Sequence, residues 1–297
     1  SGHEFTVDRL IDHHTLLPFY RPFLPRKTSR RIRSIMIDSP RGISVDALLG
    51  IMPLRISPLE FLRYCPICIG EDRDRYGESF WHREHQVPGI TACAVHAVWL
   101  ETSIVGSRFP QTKQQLISAD KAATVFAPRT LDTSDEYHGL ILKLAKDAAW
   151  LLRNPHLPPK PRKLRQKHIA ELTLIGLSNY RGRIRERMLL TCIRKTFCHR
   201  ILVELKCSLT EPQRSNPLLR TIRSSDPMQH PLHHLLLIYF LGHSAESFWN
   251  APIRPRFFGT GPWPCLNPFS HHRHQPAIRS YSISFDQFLP SPARAAL

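Results

Sequence analysis

The sequence predicts a mainly α-helical fold that is interrupted by one small, loop-rich module. Apolar residues recur at the helical period in several segments, for example at Leu140, Leu144, Ala148 and Leu151. Two short-spaced pairs of cysteine and histidine residues lie in the first third of the chain. A proline-rich segment near residue 158 separates this part from a strongly basic one, in which two further helical patterns occur.

Composition favours a folded chain with a polyanionic partner. At 297 residues and 42% hydrophobic content the chain is long enough to bury a core, and its length predicts two or three modest domains. The formal net charge of +17 and the pI near 10.1 favour nucleic acid over an acidic membrane surface. The longest apolar run covers residues 235–241, far short of the roughly 20 residues that cross a bilayer, so we expect no membrane partner.

Cysteine usage predicts a reducing compartment. Seven cysteines are an odd number, and no secretory signal opens the chain. A disulfide framework is therefore the weaker explanation, and we expect a cytoplasmic protein. Cys192, Cys198 and Cys207 are interpreted as core residues, because positions 192 and 198 fall on different faces of a helix.

The two short-spaced pairs are Cys65-x-x-Cys68 and Cys93-x-x-His96, with 24 residues between them. Thiolates and imidazole at this spacing are typical of a tetrahedral zinc site, in which each pair holds the metal from one turn. Four protein ligands close the coordination shell. We therefore predict a structural Zn²⁺ in a zinc-ribbon-like module rather than a catalytic metal.

The remaining notable histidines are interpreted as structural. His82 and His85 lie between the two ligand pairs and are rival ligands in principle, but two complete pairs already satisfy the metal. His230, His233 and His234 flank a leucine-rich helical pattern and are more typical of packing or capping residues than of ligands.

The segment before the metal pairs predicts short helices broken by prolines. Thr6 caps a helix that begins at Val7, and the prolines at 18, 22 and 25 end this helix and mark an extended connector. A basic amphipathic helix follows. Its Arg30, Arg31 and Arg33 form either a solvated face or a phosphate-contacting one, and the sequence leaves both open.

The segment 160–200 concentrates the positive charge, with twelve lysine and arginine residues against two glutamates. Leu164 to Ile175 fit one helix face, Gly176 allows a sharp turn, and Ile184 to Phe197 fit a second helix. This pattern predicts a helix-turn-helix element whose second helix enters a major groove. The predicted DNA-contacting residues are Arg181, Arg183, Arg185, Arg187, Lys163, Arg165, Lys167 and, from the loop between the metal pairs, Arg83.

Several motifs resemble the TniQ/TnsD family of bacterial transposon target-site selectors. The loop between the metal pairs reads Tyr-Gly-Glu-x-Phe-Trp-His-Arg-x-His-Gln-x-Pro-Gly over residues 76–89 and follows Arg63-Tyr64-Cys65-Pro66. Further matching motifs are His14-Thr15-Leu16-Leu17-Pro18-Phe19-Tyr20, His230-Pro231-Leu232-His233-His234-Leu235 and Pro262-Trp263-Pro264-Cys265-Leu266-Asn267-Pro268. The last two motifs favour the TnsD branch.

The resemblance implies a zinc-bearing, sequence-specific adaptor for double-stranded DNA. Such an adaptor recognises the attachment site of a TnsABC-type transposon and recruits the AAA+ ATPase TnsC, which engages the TnsA/TnsB transposase. The family's metal ligands correspond to Cys65, Cys68, Cys93 and His96. The implied location is the bacterial cytoplasm, in association with the nucleoid, and no catalytic activity is implied.

The resemblance also implies a second zinc site that is incomplete in this sequence. Cys265 and His272 match its first two ligands, but the later Cys-x-Cys pair is missing, so that His271 or His274 would have to substitute. The part of the family domain that precedes the His-Thr-Leu motif is also expected to be missing.

Four units follow from these patterns. Residues 1–110 are predicted to form an N-terminally incomplete TniQ-like domain with the zinc finger at 65–96, and residues 111–157 a helical connector. Residues 158–250 are predicted to form a basic helix-turn-helix or helical domain, and 251–297 a tail rich in proline and aromatic residues that carries the partial second zinc motif.

Two other functions are weighed against target selection. One is a TniQ-like adaptor that links a CRISPR effector complex to TnsC, against which the basic C-terminal extension argues. The more distant one is a zinc-dependent hydrolase or nuclease. The sequence shows no carboxylate cluster for two-metal chemistry and no nucleophile with a base close to it, so we do not expect an enzyme.

Overall fold

The computed structural model describes residues 6–38, 56, 58–107, 117–179, 182–209, 216–223, 229–251 and 262–279. Its first half contains helices, 3-10 turns and one two-stranded sheet. In chain order these are α1 (Val7–His14), α2 (Leu17–Tyr20), a 3-10 turn (Arg21–Phe23), α3 (Arg26–Asp38), β1 (Phe61–Tyr64), α4 (Pro66–Tyr76), a second 3-10 turn (Arg83–Gln86), β2 (Glu101–Gly106) and α5 (Ala119–Ala122).

The second half is helical up to a short C-terminal hairpin, and the predicted mainly α fold is confirmed. Its elements are α6 (Glu136–Arg153), α7 (Pro161–Leu174), α8 (Glu186–Thr196), α9 (His199–Glu204), α10 (Pro217–Arg223), α11 (Pro231–Phe240), α12 (Ala245–Asn250), β3 (Trp263–Pro264) and β4 (Pro276–Ile278). Strands β1 and β2 pair antiparallel, with Tyr64 opposite Glu101, and β3 pairs with β4 in the same sense.

The N-terminal helices are arranged differently from the predicted extended connector. Thr6 caps α1 as expected, and its hydroxyl accepts from the Arg9 backbone N–H. The prolines that follow begin helical turns instead of ending them: Pro18 lies in the first turn of α2 and Pro22 in the 3-10 turn. The reason is that proline lacks an N–H that the first turn of a helix does not use.

Helix α6 is the centre of the hydrophobic core. The sequence predicts a helix from about Glu136 to Arg153, and α6 has these bounds, with Asp135 capping its N terminus and Asn154 at its C terminus. Its Leu140, Leu144 and Leu151 are buried in a core that also takes in residues of α2, α8, α10, α11 and α12. The core is therefore continuous across residue 158, while the predicted division into four units stays a prediction.

The connector between α7 and α8 corrects the predicted sharp turn. Gly176 ends α7 with φ +76, and Leu177 N–H bonds to Leu172 O, so that the helix closes as a Schellman motif. Residues 175–185 then intervene, held by a bridge between Ser178 and Ile184, and the second helix begins only at Glu186.

The buried histidines are structural, as expected. His230 is fully buried and caps α11, with its Nδ1 accepting from Leu232 N–H. His168 of α7 and His234 of α11 are buried face to face, with 3.5 Å between His168 Nε2 and His234 Nδ1. Phe248 stacks on the other side of His168, at 4.9 Å between ring centroids.

The three cysteines that were interpreted as core residues differ in their burial. Cys207 is buried and Cys192 half-buried against the core, as expected, but Cys198 is exposed because it precedes the first residue of α9 on the protein surface. Within the described ranges, no helix combines the length and the apolar composition that crossing a bilayer requires.

Acid should destabilise the fold through its buried histidines. Burial, together with the Lys167 charge, lowers the pKa of His168 to about 3, and burial also lowers the pKa of His230 and His234. Since the unfolded chain binds these protons at a pKa near ~6.5, stability falls as pH drops below that value. Each histidine should cost about 2 kcal/mol between pH 7 and pH 5, measurable by urea unfolding.

The matched comparison for this experiment is His168→Gln. Metal release at low pH affects both proteins alike, so the variant should lose about 2 kcal/mol less than the parent between the two pH values. An equal loss in both proteins would show that His168 does not supply this pH dependence.

Candidate metal centre and nucleic-acid interface

The two predicted ligand pairs occupy two turns that face each other. Cys65 follows the last residue of β1 and precedes Pro66, the first residue of α4, so Cys68 lies in the first helical turn. The second pair lies in a tight turn in which Ala97 N–H bonds to Cys93 O. Ala97 has φ +53, a left-handed conformation that closes this turn.

The four ligand atoms converge, and all of them lie within 4.8 Å of one another. His96 Nδ1 lies 3.5, 3.3 and 3.6 Å from the sulfur atoms of Cys65, Cys68 and Cys93, and the sulfurs of Cys68 and Cys93 are 3.8 Å apart. A tetrahedral zinc with Zn–S near ~2.3 Å and Zn–N near ~2.0 Å needs ligand separations of roughly 3.5 to 3.8 Å. The residues therefore fit a structural zinc, whose bonds would join β1, α4 and the second turn.

The charge at this cluster also suits a cation. Hydrogen bonds to the sulfurs of Cys65 and Cys93 raise the pKa of Cys68, whereas those from Cys65 and Cys68 lower the pKa of Cys93. Three buried thiols thus oppose full ionisation of one another. A bound divalent cation removes this conflict, because it stabilises all three thiolates together.

Carboxylates orient the histidines around the cluster. Glu71 Oε1 lies 3.1 Å from His96 Nε2, which leaves Nδ1 facing the sulfurs. Asp72 Oδ2 lies 2.8 Å from His82 Nε2, and the His82 ring packs against that of His85. His85 is buried with its Nε2 3.9 Å from Cys68 Sγ, a position beside the ligands and not among them. Glu71 and Asp72 were missed in the sequence, because only α4, which was not predicted, brings them within about one turn of Cys68.

The loop between the pairs is fixed by backbone-directed hydrogen bonds. The Gln86 side chain accepts from Arg63 N–H and donates to Arg63 O, so it pairs with β1 as a neighbouring strand would. Trp81 Nε1 donates to Ile117 O at 2.9 Å. These contacts explain why polar and aromatic residues recur in a loop that, after α4, contains only one short 3-10 turn.

Arg83 corrects the prediction of an exposed DNA-contacting side chain. Its guanidinium donates to the backbone oxygens of Asp12 at 2.7 Å, Thr15 at 3.2 Å and Leu152 at 2.6 Å. These carbonyls end α1 and α6, which have no further turn to bond them. Arg83 thus joins the loop to two helix C termini, where a cation is favourable.

Gly89 brings the same loop onto the helical core. It has φ +83, and a Cβ at this position would lie 2.6 Å from Leu232 Cδ1 and 3.3 Å from Leu205 Cδ2. Both leucines are buried, Leu232 in α11 and Leu205 just after α9. A larger residue would therefore need the core to move.

Five arginines line a cleft of about 590 Å³ between α7, α8 and α10, which we call the basic cleft. Glu186 at the start of α8 is its one acidic residue, and it pairs with Arg223, whose hydrogen bonds lower the pKa of Glu186. Arg165 donates to Ile222 O at 2.6 Å. The arginines of the basic cleft are Arg165, Arg183, Arg185, Arg187 and Arg223.

Four of the predicted DNA-contacting residues are thus brought together, and Arg223 joins them. Arg183, Arg185 and Arg187 are exposed, and no ion pair of theirs occurs among the described residues. Arg183 and Arg185 precede α8 and do not lie on it, which corrects their predicted position on the second helix. Arg181 lies outside the described residues.

The two lysines that were predicted to contact DNA, Lys163 and Lys167, do not line the basic cleft. Lys163 is exposed and lines a separate pocket on the other side of α7. Lys167 is buried, which corrects the expectation of an exposed cation: its Nζ donates to Phe248 O and, at 2.6 Å, to Ala251 O at the end of α12. These carbonyls fix the ammonium inside the fold.

The second metal motif stays a prediction. Cys265 is buried and His272 follows it in the turn between β3 and β4, where His274 N–H bonds to Cys265 O. Across the described ranges, the one grouping of three or more metal-binding side chains with converging ligand atoms is Cys65, Cys68, Cys93 and His96.

Comparison with known families agrees with this arrangement. The TniQ family model matches residues 2–100, which contain the metal centre, and the TnsD model, described as Tn7-like transposition protein D, matches residues 144–288, which contain the basic cleft. The chain belongs to the TniQ/TnsD family. It is thereby a transposition-related protein of the Tn7 type.

The family assignment is supported by a characterised TniQ/TnsD protein. The transposon Tn7 transposition protein TnsD of Escherichia coli is 34% identical over 92 residues. This match covers 31% of the present chain and 18% of that relative, so the chain spans a small part of the relative's length.

Neutralising Glu71 should weaken zinc binding. In Glu71→Gln the carboxylate that orients His96 becomes a neutral amide, and such partners are worth roughly 10- to 100-fold in metal affinity. Because the Glu71 side chain is 64% exposed, we expect about tenfold, measured by competition with a chromogenic chelator. Asp74→Asn, on the exposed side of the same helix, should leave the affinity unchanged. Equal affinities in the two variants would remove Glu71 from the site.

Replacing Gly89 should destabilise the whole fold. Gly89→Ala combines a left-handed backbone with the overlap on Leu232, so the free energy of unfolding should fall by about 2 to 4 kcal/mol. Gly70→Ala is the control, because Gly70 lies inside α4 with open space around it and should stabilise the protein by about 1 kcal/mol. Both are measured by urea unfolding with zinc present, and a neutral Gly89→Ala would contradict the packing argument.

Proposed function

We propose that this protein is a sequence-specific, double-stranded DNA-binding target selector of a TnsABC-type transposon. The observation that carries the proposal is the basic cleft, five arginines against one glutamate, in the part of the chain that matches the TnsD model. A concentrated positive surface of this kind is typical of phosphate-backbone recognition. The protein acts on DNA in the bacterial cytoplasm, in association with the nucleoid, and without catalysis of its own.

The basic cleft and the exposed face of α8 have different roles in the proposed DNA recognition. Arg183 and Arg185 precede the first turn of α8, so their guanidinium groups suit phosphates beside the entry of the helix into a groove. The exposed face of α8 carries Arg187, Thr191 and Arg194, spaced by four and three residues and therefore neighbours on the helix surface. This face is the candidate for base reading.

The remaining arginines of the cleft position the others. Arg165 bonds to Ile222 O, and Arg223 pairs with Glu186 at the first residue of α8. These contacts tie α7, α8 and α10 together around the cleft. The zinc centre has a separate structural role, because four protein ligands leave no open coordination position.

Recruitment of the AAA+ regulator TnsC, and through it of TnsA and TnsB, completes the proposal. It rests on the membership of the TniQ/TnsD family and is tested with the full chain on its footprinted duplex. Purified TnsC should be retained on that duplex when the protein is present and not on a scrambled duplex of equal length. Retention that requires a guide RNA would instead indicate the CRISPR-linked adaptor.

DNA binding should depend strongly on salt and on the basic cleft. If six to ten phosphates are contacted, affinity falls by roughly 10³- to 10⁵-fold between 50 and 200 mM salt. In the double variant Arg185→Ala/Arg187→Ala the slope of log K against log salt should be shallower by about 1, since Arg185 is assigned to a phosphate, each phosphate contact contributes about 0.9, and Arg187 is assigned to base reading. Fluorescence anisotropy on a duplex selected by footprinting measures both quantities.

The matched control removes two exposed cations from α5 and α6. Lys121→Ala/Lys146→Ala makes the same change of net charge away from the basic cleft, and its slope should equal that of the parent. A parent that protects no defined duplex, or equal losses in the two double variants, would overturn the proposed function.

A further inference from the structure

We propose that a second basic surface, formed by the starts of α3 and α7, contacts the phosphates of the same DNA duplex outside the basic cleft. This inference rests on the proposed function of duplex binding and adds a separate contact region to it. The second basic surface consists of Arg26, Lys27, Arg30, Arg31, Lys160, Arg162 and Lys163.

These seven cations are exposed and unused by the fold. Among the described residues none of them makes an ion pair. Arg33, on the same helix, shows the contrast, because it is bound to Asp8 at 2.6 Å and Asp12 at 2.7 Å and serves the packing of α3 on α1. The sequence left open whether the arginines of α3 contact phosphates. In the structure Arg33 is held by ion pairs, whereas Arg30 and Arg31 make none among the described residues.

The start of α7 lies beside the turn that leads into α3, although about 130 residues separate the two groups of cations in the chain. Pro22, four residues before Arg26, lines a pocket of about 290 Å³ together with Lys160 and Lys163. The rest of the lining is apolar apart from Lys167, and it contains no acidic residue. The cations of α3 therefore begin four residues along the chain from the pocket that Lys160 and Lys163 line.

The second basic surface and the basic cleft flank α7 on different sides. Lys163 lines the pocket beside Pro22, whereas Arg165 lines the basic cleft and bonds to Ile222 O. Two residues apart on a helix point about 200° apart, which is why adjacent basic positions of one helix serve two surfaces. Substitutions at one surface consequently leave the other in place.

The placement of these charges indicates an anionic partner. Neither α3 nor α7 has an acidic residue in its first turn, where the positive end of the helix dipole favours one, and both have cations there. Cations in the first turn of a helix oppose the helix dipole, and sequences depart from such local preferences chiefly at functional sites. A bound polyanion would offset the repulsion.

Duplex DNA fits this surface better than a membrane does. A helix that lies on a bilayer needs a free apolar face beside its charges. In α3 Ile32 and Met36 pack on the protein core, which leaves Ile37 as its exposed large apolar side chain, too little for such a face. The charges remain available for phosphates, and the basic cleft supplies a DNA contact on the other side of α7.

The test compares three double variants of the full chain. Arg30→Ala/Arg31→Ala and Lys160→Ala/Lys163→Ala each remove two charges from the second basic surface, and Lys121→Ala/Lys146→Ala is the matched control. On the footprinted duplex each of the first two should make the salt slope shallower by about 2 without changing the sequence protected, and the control should not. Urea unfolding and zinc content should match the parent, since all six residues are exposed.

The outcomes separate this inference from the proposed function. Parent-like slopes in both surface variants, with a shallower slope in the cleft variant Arg185→Ala/Arg187→Ala, would overturn the second surface and leave the proposed function standing. Surface variants that lose cosedimentation with phosphatidylserine vesicles but keep the parent's DNA slope would assign the surface to a membrane and also overturn the inference. A parent that binds no duplex would overturn both.

Discussion

The guanidinium of Arg83 is the contact on which the arrangement of the molecule depends. It comes from the loop between the two zinc-ligand pairs and donates to three backbone oxygens that end two different helices. Burial lowers the pKa of Arg83, yet a guanidinium stays charged, so its hydrogen bonds are of the stronger, charge-assisted kind. Removing it would leave several partly buried carbonyls without partners at once.

This contact relates the zinc centre to the rest of the chain. The zinc ligands shape the loop, the loop places Arg83 at the end of α6, and α6 organises the core on which α11 and α12 pack. Glu84 adds an ion pair with Arg153 at the same helix end. A metal held by the four ligand residues would thus stabilise α6 through Arg83, in addition to ordering its own loop.

Much of the fold and the metal centre followed from local sequence signals. The α6 helix was predicted from the helical spacing of its apolar residues and from the Asn154-Pro155 pair that ends it, and the structure adds the Asp135 cap. The four zinc ligands were predicted from spacing alone, and ligand distances suited to zinc support them. Gly176 signalled the end of α7 because a Schellman motif needs a left-handed residue, but Lys206 fills the same position after α9 without any glycine to announce it.

Contacts between distant parts of the chain were not predictable. Lys167 is a cation in a basic run, and only the fold reveals the carbonyls of Phe248 and Ala251 that hold it inside. Likewise, nothing local shows that Lys163 and Arg165 serve different sides of α7. Charge density in a sequence measures how much cation is present, whereas the helix phase and the packing decide where each cation points.

The lack of space for a side chain at Gly89 limits how the sequences of such proteins can change. Since this residue meets Leu232 and Leu205 with no room for a side chain, the zinc-bearing segment is fitted to one particular helical partner. Recombination that exchanged this segment between two proteins of the family would succeed only where the glycine and the leucines opposite it match. Inheritance of the two halves as a matched pair is therefore expected.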